Sequence, residues 1–175
     1  GEALDPDGNT VWRASLGPLP AGTIGSAVTC AMATPLAAVP TKPPEPLTEA
    51  QCAYLLREEQ LLDLQATKAA SAQLAKGARD TAAARRFYEF ITEKMVYDID
   101  NRWDKAGQVL KRQSGSCSEL AALFVSLCRN AGIPARRVSA TVLRAPQGPC
   151  IDLVHHVWAE FLDPAKGWTP VDCAQ

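Results

Sequence analysis

The sequence predicts an α+β domain, and three observations carry that prediction. Apolar residues return at three- and four-residue steps in several segments between Leu47 and Ala131. Strand-like stretches follow, from Arg136 to Cys173. The last two of these are joined by DPAKG at 163–167, a five-residue connection with Gly last that favours a hairpin. Helices first and an antiparallel sheet after them is the α+β order.

In chain order, the first 46 residues stand apart. They hold eight of the 13 prolines, and no proline occurs from Leu47 through Ile133. DPDGN at 5–9 reads as a turn, TVWRASL at 10–16 as a short strand and VPTKPPEP at 39–46 as an extended connector. We expect residues 1–46 to be an arm or the remnant of a preceding β-domain, and residues 47–175 to form the main domain. Thr48 with Gln51 is a capping-box start for a helix reaching about Leu62. A second helix is predicted over 64–76, stopped by Gly77. Asp80 can cap a third, whose Ala84, Phe87, Ile91 and Met95 form a core stripe flanked by Tyr88. Residues 101–114 read as irregular. Ser116 with Glu119 is a second capping box; it opens the helix SELAALFVSLCRNA, which Gly132 and Pro134 end. Strands are predicted over 136–144, 152–162 and 168–173.

Composition narrows the function classes. The 175 residues are 47% hydrophobic and 21% charged, as in an ordinary globular protein of one compact domain, with or without a tail. With 18 Lys+Arg against 19 Asp+Glu, the net charge of -1 supplies no general attraction to nucleic acid or anionic lipid. No apolar run approaches the roughly 20 residues of a membrane span. Opening at Gly1 without a leader, the chain is expected to be a processed protein or an excised fragment. The six cysteines form no CxxC pair, which removes the main support for a zinc finger, while their number favours an oxidising compartment, periplasmic or secreted.

Cys117 falls in the first turn of the helix that Ser116 opens. Unpaired N–H groups and the positive end of the helix dipole favour a thiolate there, so the position suits a nucleophile. Gly115 before it permits a tight turn and the approach of a substrate carbonyl. Cys128 lies along the same helical face, roughly 16 Å from Cys117, too far for a disulfide, and reads as a core thiol. The two histidines, His155 and His156, are adjacent in a strand and diverge to opposite faces, so at most one can look at Cys117. Leu153, His155, Val157, Ala159 and Phe161 make the more apolar face, a poor place for a base that becomes charged, which favours His156. If Leu162 faces Trp168 across the hairpin, Asp172 becomes a diagonal neighbour of His156 and can fix its tautomer. Nucleophile, base and orienting acid are then Cys117, His156 and Asp172.

GSCSELAALFVSLCRNAGIPARRVSA, HVWAEF and GWTPVDCA, with RRFYEFITEKMVYD ahead of them, resemble the core of bacterial transglutaminase-like proteins, a superfamily of papain-type cysteine enzymes. The resemblance covers roughly residues 50–175. It implies a papain-like α+β fold, acyl transfer through a thioester with a protein or peptide substrate, no cofactor, and the same trio, because the catalytic histidine of the family stands two residues before the Trp. A non-catalytic binding module on the same fold is the competing expectation. Cys173 stands where many relatives would have proline, and with Cys150 it is a candidate for a disulfide bracing the hairpin. The backbone N–H of Cys117 is the first candidate oxyanion donor; Gln113, Trp103 and Tyr97 are candidates for the second. Cys150, His155, His156, Asp172 and Cys173 are ligand types without a standard metal spacing, so no metal is expected. Arg136, Arg137 and Arg144 form a stretch free of carboxylates, which reads as a solvated strand face rather than a steering patch.

Overall fold

The computed structural model describes residues 2–4, 10–12, 46–99, 102–141 and 155–174. The chain divides into two compact units, Gly1–Lys42 and Pro43–Gln175. In the first, β1 (Glu2–Leu4) pairs antiparallel with β2 (Thr10–Trp12), Ala3 facing Val11. The expected turn at 5–9, the remainder of that strand, Cys30 and the connector up to Glu45 lie outside the described residues, as do residues 142–154 with Arg144 and Cys150.

The second unit is built around one helix. Its elements are α1 (Glu49–Leu56), α2 (Leu64–Ala75), α3 (Thr81–Lys94), β3 (Val96–Tyr97), α4 (Ala106–Arg112), β4 (Ser114–Gly115), α5 (Cys117–Asn130), β5 (Ala135–Thr141), β6 (His155–Asp163) and β7 (Gly167–Val171). Every residue of α5 from Ser118 to Arg129 is buried, including Ser118, Glu119, Ser126 and Arg129. It packs on α2, α3 and α4 and on β6. Its polar groups are all answered. Ser71 Oγ donates to Leu127 O at 2.7 Å, Asn130 Nδ2 donates to Leu64 O and Thr67 Oγ1, and the Arg129 guanidinium donates to Ala135 O and pairs with Glu59 at 2.9 Å.

The predicted caps form. Thr48 opens α1, Asp80 opens α3 and Ser116 opens α5. Ala84, Phe87, Ile91 and Met95 are buried along α3 as predicted, and α2 ends in two left-handed residues, Lys76 and Gly77. Two expectations are corrected. The first helix stops at Leu56 rather than near Leu62, because the buried Arg129 recruits Arg57 O and Glu59 and draws that stretch out of the helix. The irregular stretch before Cys117 contains α4, which lies so close to α2 that a Cβ on Gly107 would stand 2.6 Å from Ala66 Cβ.

Three antiparallel strands follow in the order β5–β6–β7. Leu162 faces Trp168, the register predicted from DPAKG, and Ala159 faces Val171. Ala159, Phe161 and Cys173 turn into the core, with Val157 and Val171 against it, and Phe161 meets Phe124 of α5 at a ring separation of 6.3 Å. On the opposite face Arg136 pairs with Glu160 at 2.8 Å and lies over the Trp168 ring. Arg136 is thus held within the sheet.

Candidate active site

The segment carrying Cys117 is anchored by a buried carboxylate. Glu119, in the first turn of α5, is fully shielded from solvent. Its Oε2 accepts from the Ser116 N–H and hydroxyl, and its Oε1 accepts from the Asp104 N–H and from Arg112 Nη2 at 2.9 Å. Arg112 also pairs with Asp104 and donates through Nε to Ser114 O. A buried carboxylate is tolerable only when its lone pairs are satisfied in this way. The cluster thereby holds Ser114 and Ser116 in the turn that leads into Cys117. Gly115 does not use its conformational freedom here. A Cβ would stand 3.2 Å from Glu119 Cβ and from Val109 Cγ1, so a side chain here would press on both neighbours.

Ahead of Cys117, the two-residue strands β3 and β4 pair in parallel, with Val96 facing Ser114 and Tyr97 facing Gly115. Val96 N–H donates to Gln113 O and Asp98 N–H to Gly115 O. This bridge sets Tyr97 beside the turn that leads into Cys117. Burial, the charge of Cys117, the hydrogen bond to it and the Asp172 carboxylate together push the Tyr97 phenol up from its ordinary value.

At the other end of the site, His156 Nε2 donates to Asp172 Oδ2 at 2.7 Å. The geometry follows from the hairpin register: Asp172 is the residue after Val171, which faces Ala159. Asp172 Oδ1 accepts the Ala174 N–H at 3.0 Å, which fixes the carboxylate as well. A carboxylate accepts only, so Nε2 carries the proton and Nδ1 of the neutral ring is left as the basic nitrogen.

Two of the three sequence-predicted residues are therefore in direct contact, His156 and Asp172. Cys117 stands at the start of α5, which packs against β6, the strand that carries His156. No hydrogen bond joins Cys117 to His156 among the described contacts. A cavity of about 300 Å³ opens beside Cys117, between Ile99 and Trp103 on one side and His155 and Val157 of β6 on the other. The expected core placement of His155 is corrected: it is exposed and walls this cavity. Alternation does bury Ala159 and Phe161, but at the histidine end of β6 the same face opens onto the cavity instead of the core.

Three further expectations meet the structure here. Cys173 is a free thiol buried in the core, and so is Cys128; a disulfide from Cys173 is not formed. Burial and then Asp172 push Cys173 up to about 12, and burial likewise pushes Cys128 up. Among the second-donor candidates, Gln113 caps α4 in a left-handed conformation with its N–H committed to Val109 O, and Trp103 stands 71% exposed at the cavity rim. Among the described residues, no three His, Cys, Asp or Glu side chains cluster as metal ligands, and no helix is long and apolar enough to cross a membrane. Sequence reasoning missed the Arg112–Asp104–Glu119 cluster, although Glu119 had been identified as the capping-box partner.

The comparisons agree with this architecture. A candidate cysteine protease from Cytophaga hutchinsonii superposes with a TM-score of 0.61 at 14% identity, over 73% of this chain and 43% of that one. The periplasmic domain of TgpA from Pseudomonas aeruginosa superposes with a TM-score of 0.54, at 22% identity in its ethylmercury-bound form and 21% without that ligand. The match covers 70% of this chain and 48% or 46% of that domain, so the chain spans less than half the length of these solved relatives. No curated protein sequence matches significantly. The model of the transglutaminase-like superfamily matches residues 67–173, well over half of the chain. With its helix-borne cysteine, antiparallel sheet and papain-like α+β fold, the chain belongs to the transglutaminase-like superfamily.

Proposed function

We propose that this chain is a cysteine acyl-transfer enzyme acting on protein or peptide amides, with Cys117 as nucleophile, His156 as base and Asp172 as orienting acid. The Cys117 thiolate attacks the carbonyl carbon, and a C–S bond forms as the π pair moves to oxygen. On collapse the C–N bond breaks, and the imidazolium of His156 gives its proton to the departing amine. His156 then takes a proton from water or from an acceptor amine as that nucleophile displaces sulfur from the thioester. Water makes the reaction a hydrolysis; an amine makes it a transglutamination. Asp172 stays ionised throughout and stabilises the imidazolium that forms.

The observation that carries this reading is the His156–Asp172 hydrogen bond at 2.7 Å on the hairpin that packs, through β6, against α5, the helix with Cys117 in its first turn; this supports a single site containing the thiol and the His156–Asp172 pair. A second assignment of the base has its own support, because His155 walls the cavity beside Cys117. Residues 47–175 are the catalytic domain in this reading, and residues 1–46 an arm or the edge of a preceding β-domain. A structural relative is a periplasmic domain, and we extend that location to this chain as part of the proposal.

The test is thioester formation at Cys117, followed by peptide mass spectrometry with and without a labelled primary amine. Loss of acylation in His156→Ala, with His155→Ala retaining it, supports the assignment; the reverse pattern transfers the role to His155. Reactivity of Cys117 no greater than that of a denatured thiol, with no acylation, would leave a binding module on this fold as the function.

A further inference from the structure

We infer that β3 is a docking edge for an extended, apolar stretch of the polypeptide substrate, which it guides toward Cys117; this rests on the acyl-transfer reading above and narrows its substrate class. Among the described residues, the exposed large hydrophobic side chains are Val96, Tyr97, Ile99 and Trp103, all within one short stretch of the chain. Val96 is 66% exposed and Ile99 and Trp103 are 71% exposed, so water meets most of their apolar surface. Scattered singly, such residues need no explanation; gathered beside a cavity, they mark a surface that an apolar partner covers.

The backbone of the same stretch offers hydrogen bonds. Val96 N–H donates to Gln113 O at 2.9 Å and Asp98 N–H to Gly115 O at 3.0 Å, so both point toward β4. Alternation along the strand turns the N–H and C=O of Tyr97 to the opposite edge. Neither group has a backbone partner there among the described residues. A strand paired on one side only is a template for another. An extended peptide supplies what Tyr97 lacks, an acceptor and a donor, and lays alternate side chains on the apolar patch.

Continuity with the nucleophile decides which chain takes this edge. Ile99 and Trp103 belong to the patch and also wall the cavity that Cys117 lines. A segment paired with Tyr97 therefore continues past Ile99 into the cavity, where its reacting carbonyl meets the thiol. A small amide covers none of the surface beyond the cavity.

The test is a series of activated esters that share one reacting acyl group, carried at the C-terminus of a peptide or on a glutamate side chain, from the single capped residue to peptides longer by about five apolar residues. Acylation of Cys117 is located by peptide mass spectrometry. The second-order rate should rise at least about tenfold with length. Single N-methylations along the longest peptide should find one position that costs about fivefold or more, flanked by positions that cost less than about twofold, because only the residue donating to Tyr97 O uses its N–H. Tyr97→Pro, which lacks the outward N–H, should lose most of the gain from length when compared with Tyr97→Ala, which keeps it. If circular dichroism shows the proline variant unfolded, Val96→Asp should still lower the ratio of long-peptide to short-ester rates at least about threefold. A rate independent of length, or N-methylation tolerated at every position, overturns the proposal, as does a dimer of this chain that covers the edge and excludes the peptide. Acylation of Cys117 by the short ester in any of these cases leaves the acyl-transfer reading standing, whereas no acylation by any ester removes both.

Discussion

Glu119 and Arg112 form an ion pair at 2.9 Å in which the carboxylate is wholly buried and the arginine side chain is 18% exposed. Its partners lie in the turn before the nucleophile and in the segment before α4, so two charges hold the entire approach to Cys117. Removing one partner of such a pair strands the other. Glu119→Ala should cost about 3 kcal/mol in urea-induced unfolding. It should also slow Cys117 modification under conditions where the protein is still folded, because the 112–116 turn loses its anchor.

A second prediction concerns acid stability. Asp163, buried at the end of β6, accepts from Thr81 Oγ1 at 2.5 Å and from the Ala165 and Lys166 N–H groups. The Thr81 hydrogen bond leads in holding its carboxyl below the ordinary value, and the two peptide donors add to it against the effect of burial. A depressed carboxylate stabilises the fold above its unfolded pKa of about 3.9 and loses that contribution as pH falls through the folded value. Thr81→Val should therefore lower stability by about 1–2 kcal/mol at pH 7. The difference from wild type should shrink below about pH 4, as read from thermal unfolding at a series of pH values.

Thiol labelling gives the third. At pH 8, with its thiol at about 12, Cys173 holds roughly one part in ten thousand as thiolate and is buried besides. Cys128 is similarly shielded. Native protein treated with iodoacetamide should be modified at Cys117 and remain unmodified at Cys128 and Cys173 until denaturant is added, as checked by peptide mass spectrometry.

The cavity beside Cys117 supplies a fourth. Ile99, Trp103 and Val157 give it apolar walls, which suit a bulky apolar side chain near the carbonyl under attack. Trp103→Ala should raise KM roughly tenfold for peptides bearing such a residue and leave kcat within about threefold. Substrates with glycine at that place should be nearly indifferent to the change.

Much of this was legible in the residues themselves. Ser116, Asp80 and Thr48 announced their helices because a cap is a local signal, and the five residues DPAKG set the register that joins His156 to Asp172. What escaped was either too short or too distant. The seven residues of α4 span barely two turns, and its capping residue, Lys105, is not a usual one. The bridge that links Tyr97 to Gly115 is two residues long and parallel, a pairing that no alternation pattern can disclose. The length of α1 depended on Arg129, 72 residues beyond Arg57. The exposure of His155 depended on a cavity between β6 and the start of α5, which strand alternation does not show.

The hairpin that carries His156 and Asp172 and the stretch from Tyr97 to Cys117 are each closed by nearby chain, the first pair only 16 residues apart. Each half is held by its own short-range hydrogen bonds, and the seam between them is the packing of α5 on β6, with Phe124 against Phe161. The seam, and neither half, sets the gap between sulfur and imidazole. A modest loosening there, by heat or by trimming Phe161, would let both halves keep their internal bonds while drifting out of step. Turnover should then fade at a lower temperature than circular dichroism.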